Sequence, residues 1–419
     1  MTLLSDFESK RGSWEYFLLR AAREISLSEP QYEKINARYK VLERILNAAD
    51  SPLLQSAHIF VQGSIGLRTT IKPVNGAPAD LGTVDADAIV WLPNAGGASA
   101  QSVLDEIHKR IEEGTRVEAK VEKLRRGVRI VYADESPGFH IDITPARAIS
   151  GNEETHGEGK LEVPDREIQA WKASSPIPYL GWLQQASEQQ ISLESIEVLA
   201  TKAIAMDEAT LAPLPDYEKY IDNDPLRATI KLLKRHRDEW AIRDGDASHR
   251  PISAVITTLA TRAYEEVAAD SSRRPRRPLD AIIEIVTNMS NHIQYASGKY
   301  LVCNPKDAAE NFAEKWNRPD EGIRYVNAFR KWHDDAKHSI SLGLQEFPSV
   351  ESFSEAVKER FALSSNFVVS VNNDVPANWT LPGRKLGLTR NVSTMGSVFG
   401  GGVAGHQAQE GAGSPERLG

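Results

Sequence analysis

Cysteine and long apolar runs are almost lacking in this chain of 419 residues, in which Cys303 is the only cysteine. One thiol can form neither an intramolecular disulfide nor a cysteine-based zinc site, so a reducing compartment is expected. Residues 1–17 lack the basic start and apolar core of a secretory signal. No stretch approaches the roughly 20 apolar residues of a membrane-spanning helix. The sequence therefore predicts a soluble, cytoplasmic protein with no membrane partner.

Net positive charge is also lacking. Lys and Arg number 50 against 58 Asp and Glu, which gives a formal net charge of -8. A protein that coats a long nucleic acid must present an excess of basic groups to the phosphates, so no long nucleic acid is expected as a partner. Small nucleotides that arrive with their own metal ions are not excluded. The 41% of hydrophobic residues suffices for a sizeable core, and the length allows roughly two or three domains.

Short β-branched and aromatic runs predict strands in the first half of the chain. Each run lies near Gly, Pro or Asp punctuation, and the runs are Ile59–Val61, Ala88–Leu92, Val128–Tyr132 and Phe139–Ile143. Between the second and third runs, Val103–Ile111 has the apolar spacing of an amphipathic helix. This order of elements predicts a small α+β sheet domain with helices on one face.

Helical periodicity surrounds this sheet segment. Upstream, Ser28 and Gln31 have capping-box spacing before a helix with one apolar face. Downstream of about Pro176 most of the chain has helical spacing, and from about Thr394 it is Gly-rich with few large apolar residues, which predicts a flexible tail. We expect N-terminal bracing helices, a sheet core, a helical domain that closes a cleft, and the tail. The corresponding ranges are 1–57, 58–200, 201–370 and 371–419.

Asp85 and Asp87 stand two residues apart at the start of the second predicted strand. Alternate residues of a strand point to the same face, so both carboxylates project together while Ala86 and Ala88 face the core. Two carboxylates this close repel each other unless a cation lies between them, and Mg²⁺ prefers oxygen ligands. Taken alone, Asp-x-Asp is a common pattern, and two acidic residues at an exposed strand edge are the favoured interpretation.

Two further features extend this pair. The Gly63–Ser64 turn follows a predicted strand and can point N–H groups and a hydroxyl at a phosphate, although a plain turn has the same sequence. On the fourth predicted strand, Asp142 lies opposite the apolar Ile141 and Ile143 and can join the face of the aspartate pair. His140 is interpreted here as part of the polar side of a half-exposed strand, as is Thr144.

A Gly-Ser turn, an Asp-x-Asp pair and a later single Asp, in this order, are typical of polymerase-β-type nucleotidyltransferases. Two metal ions a few ångströms apart can stabilise both the attacking hydroxyl and the leaving pyrophosphate in such enzymes. Two aspartates can bridge both ions, and the third completes the site that activates the hydroxyl. The pattern therefore predicts Asp85, Asp87 and Asp142 as metal ligands and catalytic residues, with two Mg²⁺ or Mn²⁺ ions per site.

Longer stretches resemble the CD-NTases, the bacterial relatives of cyclic GMP-AMP synthase and oligoadenylate synthase. The matching stretches follow the family's order from about residue 28 to residue 340. They are FVQGSIGLRTTIKP, VDADAIVWL, HIDITPAR, LEVPDREIQAW, SSPIPYLGWL, LRATIKLLKRHRDEW, RPISAVITTLA and CNPKDAAENFAEKW. The resemblance implies a polymerase-β-like α+β core, with a mostly helical C-terminal domain and an N-terminal bracing helix.

The resemblance also implies roles for individual residues. Gln62, Gly63 and Ser64 would hold the donor triphosphate, and Asp142 would lie nearest the attacking hydroxyl. Lys234 would reach the triphosphate with Ser253 beside it. Without the resemblance, we would interpret Lys234 as a charge on a solvated basic face and Ser253 as a residue near a helix start. The segment 304–307 would lie near the second nucleotide.

The implied activity is synthesis of a cyclic di- or trinucleotide second messenger from ATP, GTP or a pyrimidine triphosphate. Pyrophosphate would leave at each bond, and the product would activate an effector in bacterial anti-phage (CBASS-type) signalling. Two alternatives stay open. One is a superfamily nucleotidyltransferase that acts on a small molecule or an RNA end, and the other is a catalytically inactive nucleotide sensor.

Three features of the chain, one residue and two segments, fit the resemblance less well. Leu67 stands where some relatives have an aromatic residue near the base, so base stacking is expected to differ. The polar, Gly-rich insertion 149–160 has no role that the resemblance assigns. The tail ends at Gly419, which a ubiquitin-transfer-like ancillary enzyme of some CD-NTase systems could join to other molecules; an unselected chain end is the alternative.

Overall fold

A computed structural model gives the fold of most of the chain. It describes residues 3–48, 50–74, 77, 81–114, 120–132, 138–149, 159–189, 191, 224–244, 247–271, 277–375 and 381–383. These residues belong to one compact unit spanning residues 1–384. Most of the 149–160 insertion and all of the tail beyond residue 383 lie outside the described residues. None of the described helices is long and apolar enough to cross a membrane.

Eleven α-helices and eleven strands occur in the part of the chain that the structure describes. The helices are α1 (Leu3–Glu24), α2 (Glu29–Asn47), α3 (Gly63–Leu67), α4 (Ala100–Gly114), α5 (Pro176–Glu188), α6 (Pro225–Asp244), α7 (Ser253–Ser271), α8 (Pro278–Asn288), α9 (Gly322–Ile340), α10 (Val350–Phe361) and α11 (Ser365–Asp374). The strands are β1 (His58–Gln62), β2 (Val84–Trp91), β3 (Lys120–Lys123), β4 (Val128–Tyr132), β5 (Phe139–Ala148), β6 (Leu161–Asp165), β7 (Ala170–Ser174), β8 (Gln294–Ala296), β9 (Lys299–Leu301), β10 (Cys303–Asn304) and β11 (Asp307–Asn311).

A mixed seven-stranded sheet forms the centre of the α+β fold. Its order is β1-β2-β5-β4-β3, and β6 and β7 extend it from the far end of β5. Among the described strands, only β2 and β5 pair in parallel, and this pairing joins the two strands that carry the aspartates. The α+β class and the four predicted strands are confirmed. Strands β3, β6 and β7 were not predicted from the sequence; β3 is largely polar, and Pro164 interrupts the pattern of β6.

One face of the sheet is covered by α2 and α4. The apolar side of α2 and that of α4 pack with the alanines and isoleucines of β2 and β5 in one buried cluster. The predicted start of α2 is confirmed, since the Gln31 side chain accepts a hydrogen bond from the Ser28 N–H at 2.9 Å. The predicted buried face is confirmed as well, and it consists of Ile35, Tyr39, Leu42 and Leu46. The opposite face carries the aspartates near the start of β2, and farther along it Ile89 and Trp91 pack with residues of β5 and β6 in a small apolar cluster.

A second buried cluster unites most of the remaining helices. Trp14 and Phe17 of α1 pack here with residues of α5 to α11. The two N-terminal helices therefore belong to different cores, α1 to the helical one and α2 to the sheet. The helical half also contains the short strand pairs β8–β9 and β10–β11. The predicted domain boundaries stay a prediction, and residues 192–223, around the boundary at 200, lie outside the described residues.

An ionic cluster ties the sheet to the helical half. Arg125 and Arg126, in the turn between β3 and β4, both pair with the buried Asp165 at the end of β6. The same two arginines and Lys172 of β7 pair with Glu314, which lies in a short 3-10 helix before α9. Since five charged groups from four segments share these contacts, the cluster holds the helical half against the edge of the sheet.

Candidate active site

The predicted aspartates lie in one row across the sheet. Gln62 of β1 pairs in register with Asp87 of β2, which pairs with Asp142 of β5. Asp142 in turn pairs with Arg129 of β4. Two residues earlier in each strand, and therefore on the same face, Asp85 is in register with His140. The parallel β2–β5 pair therefore brings all three carboxylates to one face, as the sequence predicted.

Strand alternation separates this polar row from the core beneath it. Ala86, Ala88, Ile141 and Ile143 are all fully buried on the opposite face. Small alanines in β2 and isoleucines in β5 let α2 and α4 pack closely against the sheet. The tight packing fixes the backbone of both strands, so the carboxylates on the other face are held on rigid elements.

Gly63 brings the turn after β1 into direct contact with the triad. Its φ is +58°, in the left-handed region, where a side chain is strained. A Cβ at this position would lie 2.0 Å from Oδ2 of Asp87. Ser64 follows in the short helix α3, and its Oγ accepts a hydrogen bond from the Thr70 hydroxyl at 3.1 Å. Only glycine permits this approach between the turn and the carboxylate.

Asp142 is held by an arginine that was not predicted from the sequence as a site residue. Arg129 donates two hydrogen bonds to it, Nε to Oδ1 and Nη2 to Oδ2, both at 2.7 Å. Such a two-pronged pairing fixes the plane of the carboxylate as well as its distance. Each carboxylate oxygen keeps a second lone-pair direction for another partner. The alternation Val128–Arg129–Ile130, a cation between two buried residues, was the available signal.

His140 is the second residue whose role was missed. The expectation of a half-exposed polar position is wrong, because the side chain is buried. Its Nε2 lies 2.9 Å from Oδ1 of Asp85, and its Nδ1 lies 2.9 Å from Oγ1 of Thr83. The imidazole is thus fixed at both nitrogens and orients the first aspartate of the pair. The in-register pairing of β2 with β5 causes this contact, and local sequence does not reveal which strands are neighbours.

The three carboxylates carry more negative charge than their surroundings compensate. Burial raises the pKa of Asp87 well above its ordinary value, and the charges of Asp85 and Asp142 raise it further. Desolvation in the cleft opposes ionisation of Asp85, whose side chain is more than half exposed, but the hydrogen bond from His140, with the charges of His140 and Lys234, outweighs it and lowers the pKa of Asp85. A divalent cation among these groups would reverse the penalty on Asp87.

The donor set fits a hard metal ion. One ligand atom each from Asp85, His140 and Asp142 lies within 4.8 Å of the other two. Asp87 lies beside Asp142 in the same row, as the register shows. Oxygen-rich sites of this kind suit Mg²⁺ or Mn²⁺, and hydrogen-bonded partners such as Arg129 and His140 commonly orient the ligands of a metal.

Lys234 reaches the site from the helical half. It lies on α6, all of whose residues from Pro225 to Asp238 are buried, so the alternative of a solvated basic face is wrong. Its Nζ donates to the carbonyl oxygen of Thr69 at 3.0 Å. Burial, followed by the nearby charge of Arg237, lowers the pKa of Lys234 to about 8. The ammonium group is therefore poorly compensated and suited to an anionic ligand.

Ser253 begins α7, and its hydroxyl is oriented by Arg237. The guanidinium donates to Oγ of Ser253 at 3.0 Å and to the carbonyl of Pro251 at 3.3 Å. Arg237 is itself held by Asp238, with Nε 2.8 Å from Oδ1. A guanidinium can only donate, so Ser253 must accept from it and keeps its own proton for another acceptor. This polarity makes Ser253 a hydrogen-bond donor toward the cleft.

Two cavities meet at these residues, and both are lined by Ser64, Asp85, Lys234 and Ser253. The first, of about 310 Å³, is rich in cations and is here named the basic cavity. Its basic residues are Lys72, Lys234, Arg237, Arg250 and Lys315. The second, of about 220 Å³, is here named the mixed cavity, because Gly63 and Asp87 line it together with apolar side chains. Its apolar residues include Leu67, Pro176, Tyr179, Leu180 and Phe312.

The structure brings the predicted site residues together around one cleft. Gln62, Gly63, Ser64, Asp85, Asp87, Lys234 and Ser253 all line the mixed cavity. Asp142 adjoins Asp87 in the sheet. Of the segment 304–307, Asn304 lines the same cavity, while Leu67 contributes an aliphatic side chain to its wall. The roles assigned to these residues stay predictions, which the geometry makes specific.

Comparisons with known proteins agree with this geometry. The family profile described as "Second Messenger Oligonucleotide or Dinucleotide Synthetase domain" matches residues 14–186. A c-di-GMP synthase of Roseivirga ehrenbergii is 23% identical over 326 residues, covering 76% of this chain and 77% of that protein. The cyclic dinucleotide synthase CdnG of Bradyrhizobium diazoefficiens is 24% identical over 330 residues, covering 75% and 73% of the two chains.

A solved structure supports the fold independently. The CD-NTase CdnG of Bradyrhizobium diazoefficiens, determined in complex with GTP, matches with a TM-score of 0.62 at 19% identity. The match covers 86% of this chain and 98% of that chain. The similarity therefore extends over the sheet and the helical half together. The profile match, the relatives, which align with about three quarters of this chain, and the shared fold all support a nucleotidyltransferase of the CD-NTase type.

Proposed function

We propose that this nucleotidyltransferase converts nucleoside triphosphates, GTP among them, into a cyclic dinucleotide second messenger. The observation that carries the proposal is the position of the aspartate row: Asp85 lines both the basic and the mixed cavity, Asp87 lines the mixed cavity, and Asp142 pairs in register with Asp87. The basic cavity suits a triphosphate, and the mixed cavity suits a ribose and a base. The relatives named c-di-GMP synthase and cyclic dinucleotide synthase support a cyclic product with two bases.

The donor triphosphate is assigned to the β1 side of the triad. Gly63 and Ser64 form the turn after β1, and Ser64, Lys234 and Ser253 line the basic and the mixed cavity alike, where the two cavities meet. Lys234 supplies positive charge, and the Ser253 hydroxyl, accepting from Arg237, donates to a phosphate oxygen. These groups position the α-phosphorus next to Asp85 and Asp87. The cations of the basic cavity neutralise the outer phosphates and the departing pyrophosphate.

The acceptor nucleotide is assigned to the opposite side of the row. Asp142 lies one strand farther from β1 than Asp87, and Arg129 fixes its plane. Bound Mg²⁺ or Mn²⁺, for which we propose two ions held by Asp85, Asp87 and Asp142, would stabilise the charge on both the attacking and the leaving oxygen. The ribose hydroxyl of the acceptor forms a bond to the α-phosphorus as the bond to pyrophosphate breaks. A second round on the linear intermediate closes the ring.

The cellular setting is also part of the proposal. The match to the second-messenger synthetase profile supports a role in bacterial anti-phage (CBASS-type) signalling, in which the product activates an effector in the cytoplasm. A ubiquitin-transfer-like enzyme acting on Gly419 is a further predicted partner, and the tail lies outside the described residues. To test this partner, the full chain and a chain lacking the last few residues are expressed in the native host. We expect higher-mass conjugates from the full chain and none from the truncated chain.

Product analysis tests the activity directly. Purified protein is incubated with all four NTPs and Mg²⁺ or Mn²⁺, and mass spectrometry is applied after phosphatase treatment. A cyclic dinucleotide has no terminal phosphate and survives. The double variant Asp85→Asn/Asp87→Asn should fold normally and form no product, while the control Glu355→Gln/Glu359→Gln, on an exposed face of α10, should match the wild type. Exclusively phosphatase-sensitive products, or undiminished product from the aspartate variant, would contradict the proposal.

A further inference from the structure

One acidic residue lines the mixed cavity away from the metal-binding row. Glu310 of β11 is half-buried there, beside Asn304 and Phe312. Its Oε1 accepts from the Ser174 hydroxyl at 2.8 Å, and its Oε2 accepts from Nδ2 of Asn304 at 2.8 Å. The Ser175 N–H approaches Oε2 more distantly, at 3.5 Å. The carboxylate is thus held in a fixed orientation at the wall of the cavity.

The partners of Glu310 leave its charge and part of its hydrogen-bonding capacity available. In the part of the chain that the structure describes, Glu310 has no ion pair, and all three of its hydrogen-bond donors are uncharged. Each carboxylate oxygen offers about two acceptor directions, so each oxygen can take one more donor once the long Ser175 contact is released. Asn304 is itself buried and anchored, because its Oδ1 accepts from the Lys306 N–H at 2.9 Å.

A carboxylate in this position discriminates among the four bases. Guanine carries two adjacent donors, the N1–H and the 2-amino group, which match the two oxygens of a carboxylate. Adenine and cytosine place an unprotonated ring nitrogen beside their amino group, and uracil flanks its single N–H with two carbonyl oxygens. Each of these three would turn a lone pair toward the anion. The apolar side chains of Leu67, Leu180 and Phe312 in the same cavity suit the faces of a purine.

We propose that Glu310 is the residue that selects guanine for the nucleotide bound in the mixed cavity, with Asn304 and Ser174 positioning its carboxylate. This inference rests on the proposed function only in that the cavity takes a nucleoside triphosphate. The N1–H and 2-amino groups of the base donate to the two carboxylate oxygens. A site built to receive both donors rejects a base that lacks them, because the carboxylate would then face a lone pair.

Exchange of one acceptor for a donor should switch the preferred base. Glu310→Gln replaces a carboxylate oxygen with an NH₂ group, and xanthine replaces the 2-amino group of guanine with a carbonyl oxygen. The test measures binding of the α,β-methylene analogues of GTP, XTP and ATP, with Mg²⁺, by calorimetry. The wild type should bind the GTP analogue at least about 100-fold more tightly than the other two. In Glu310→Gln the ratio of GTP to XTP binding should fall by at least about 100-fold, while Glu355→Gln, on α10, leaves it unchanged.

Further variants and product analysis separate the possible failures. Glu310→Asp keeps both acceptors and should still prefer GTP to XTP, though with weaker binding, which provides the test if the Gln variant folds poorly. An unchanged GTP-to-XTP ratio in a folded Glu310→Gln, or a wild type that binds the ATP analogue as well as the GTP analogue, would overturn the inference. Guanine-selective, Glu310-dependent binding without cyclic product would leave the inference standing and refute the proposed function. A cyclic product whose bases are insensitive to Glu310→Gln would overturn the inference and leave the proposed function standing.

Discussion

Replacement of Gly63 by alanine should disable the site while leaving the fold largely intact. An alanine Cβ would lie 2.0 Å from Oδ2 of Asp87, whereas ordinary contact begins near 3.4 Å, so the carboxylate must retreat by about 1.4 Å. Misplacement of a catalytic group by about 1 Å can reduce turnover about 100-fold. The left-handed backbone adds about 1–2 kcal/mol of strain. We therefore expect turnover to fall about 100-fold and the melting temperature by a few degrees.

The matched control for this variant is Gly181→Ala. Gly181 lies in α5, and an added Cβ there would meet nothing within 4 Å. Alanine at a helical position should stabilise the fold by up to about 1 kcal/mol and leave turnover unchanged. Both variants are assayed for cyclic product and for thermal unfolding. A Gly63→Ala protein with turnover within about threefold of the wild type would refute the close approach between the turn and Asp87.

Three further outcomes follow from the contacts around the site. Burial lowers the pKa of Lys234 to about 8, so Lys234 loses its charge as pH rises through that value, and an NTP analogue should bind more weakly above about pH 8. Lys234→Arg should move this loss of binding to higher pH. Binding titrations between pH 7 and 9.5 measure both effects. Ser253→Ala should raise the Kd for the same analogue at least about tenfold. A double-mutant cycle with Arg237→Lys should show a coupling energy of about 1 kcal/mol or more, since Arg237 acts through the Ser253 hydroxyl that it orients. Strictly additive effects of the two substitutions would contradict this. Asp165→Asn should lower the free energy of unfolding at pH 7 by about 2 kcal/mol, because two arginines lose their partner. Burial opposes ionisation of Asp165, but the hydrogen bonds from Arg125 and Arg126 lower its pKa from 3.8 to about 2. The stabilisation by Asp165 is therefore present above about pH 4 and is lost as pH falls toward 2. In denaturant titrations, the difference in unfolding free energy between wild type and Asp165→Asn should be smaller at pH 3 than at pH 7.

Local sequence patterns were sufficient for the residues that act through their own strand or helix. Alternation in β2 and β5 placed the carboxylates opposite the fully buried Ala86 and Ile141. The Ser28–Gln31 spacing predicted the start of α2, and the structure confirms the hydrogen bond between them. These features depend on neighbours two to four residues away, so they can be predicted without knowledge of the tertiary fold.

Residues that act across the fold could not be predicted in this way. The contacts of His140 with Asp85 and of Arg129 with Asp142 depend on the strand order β1-β2-β5-β4-β3, which no local pattern encodes. Lys234 is buried because other helices surround α6, although the helix itself is rich in charge. The role predicted for Lys234 came from the resemblance to a family and not from periodicity, since a charged helix alone indicates a solvated face.

The claim that the aspartate row binds the catalytic metal ions has one direct test. Crystals of the protein grown with Mn²⁺ and the α,β-methylene analogue of GTP are measured at the manganese absorption edge. We expect anomalous peaks in coordination contact with Asp85, Asp87 and Asp142, with the triphosphate between Ser64 and Lys234. A well-ordered triphosphate in the basic cavity with no manganese at these three carboxylates, or manganese bound only elsewhere on the protein, would contradict it.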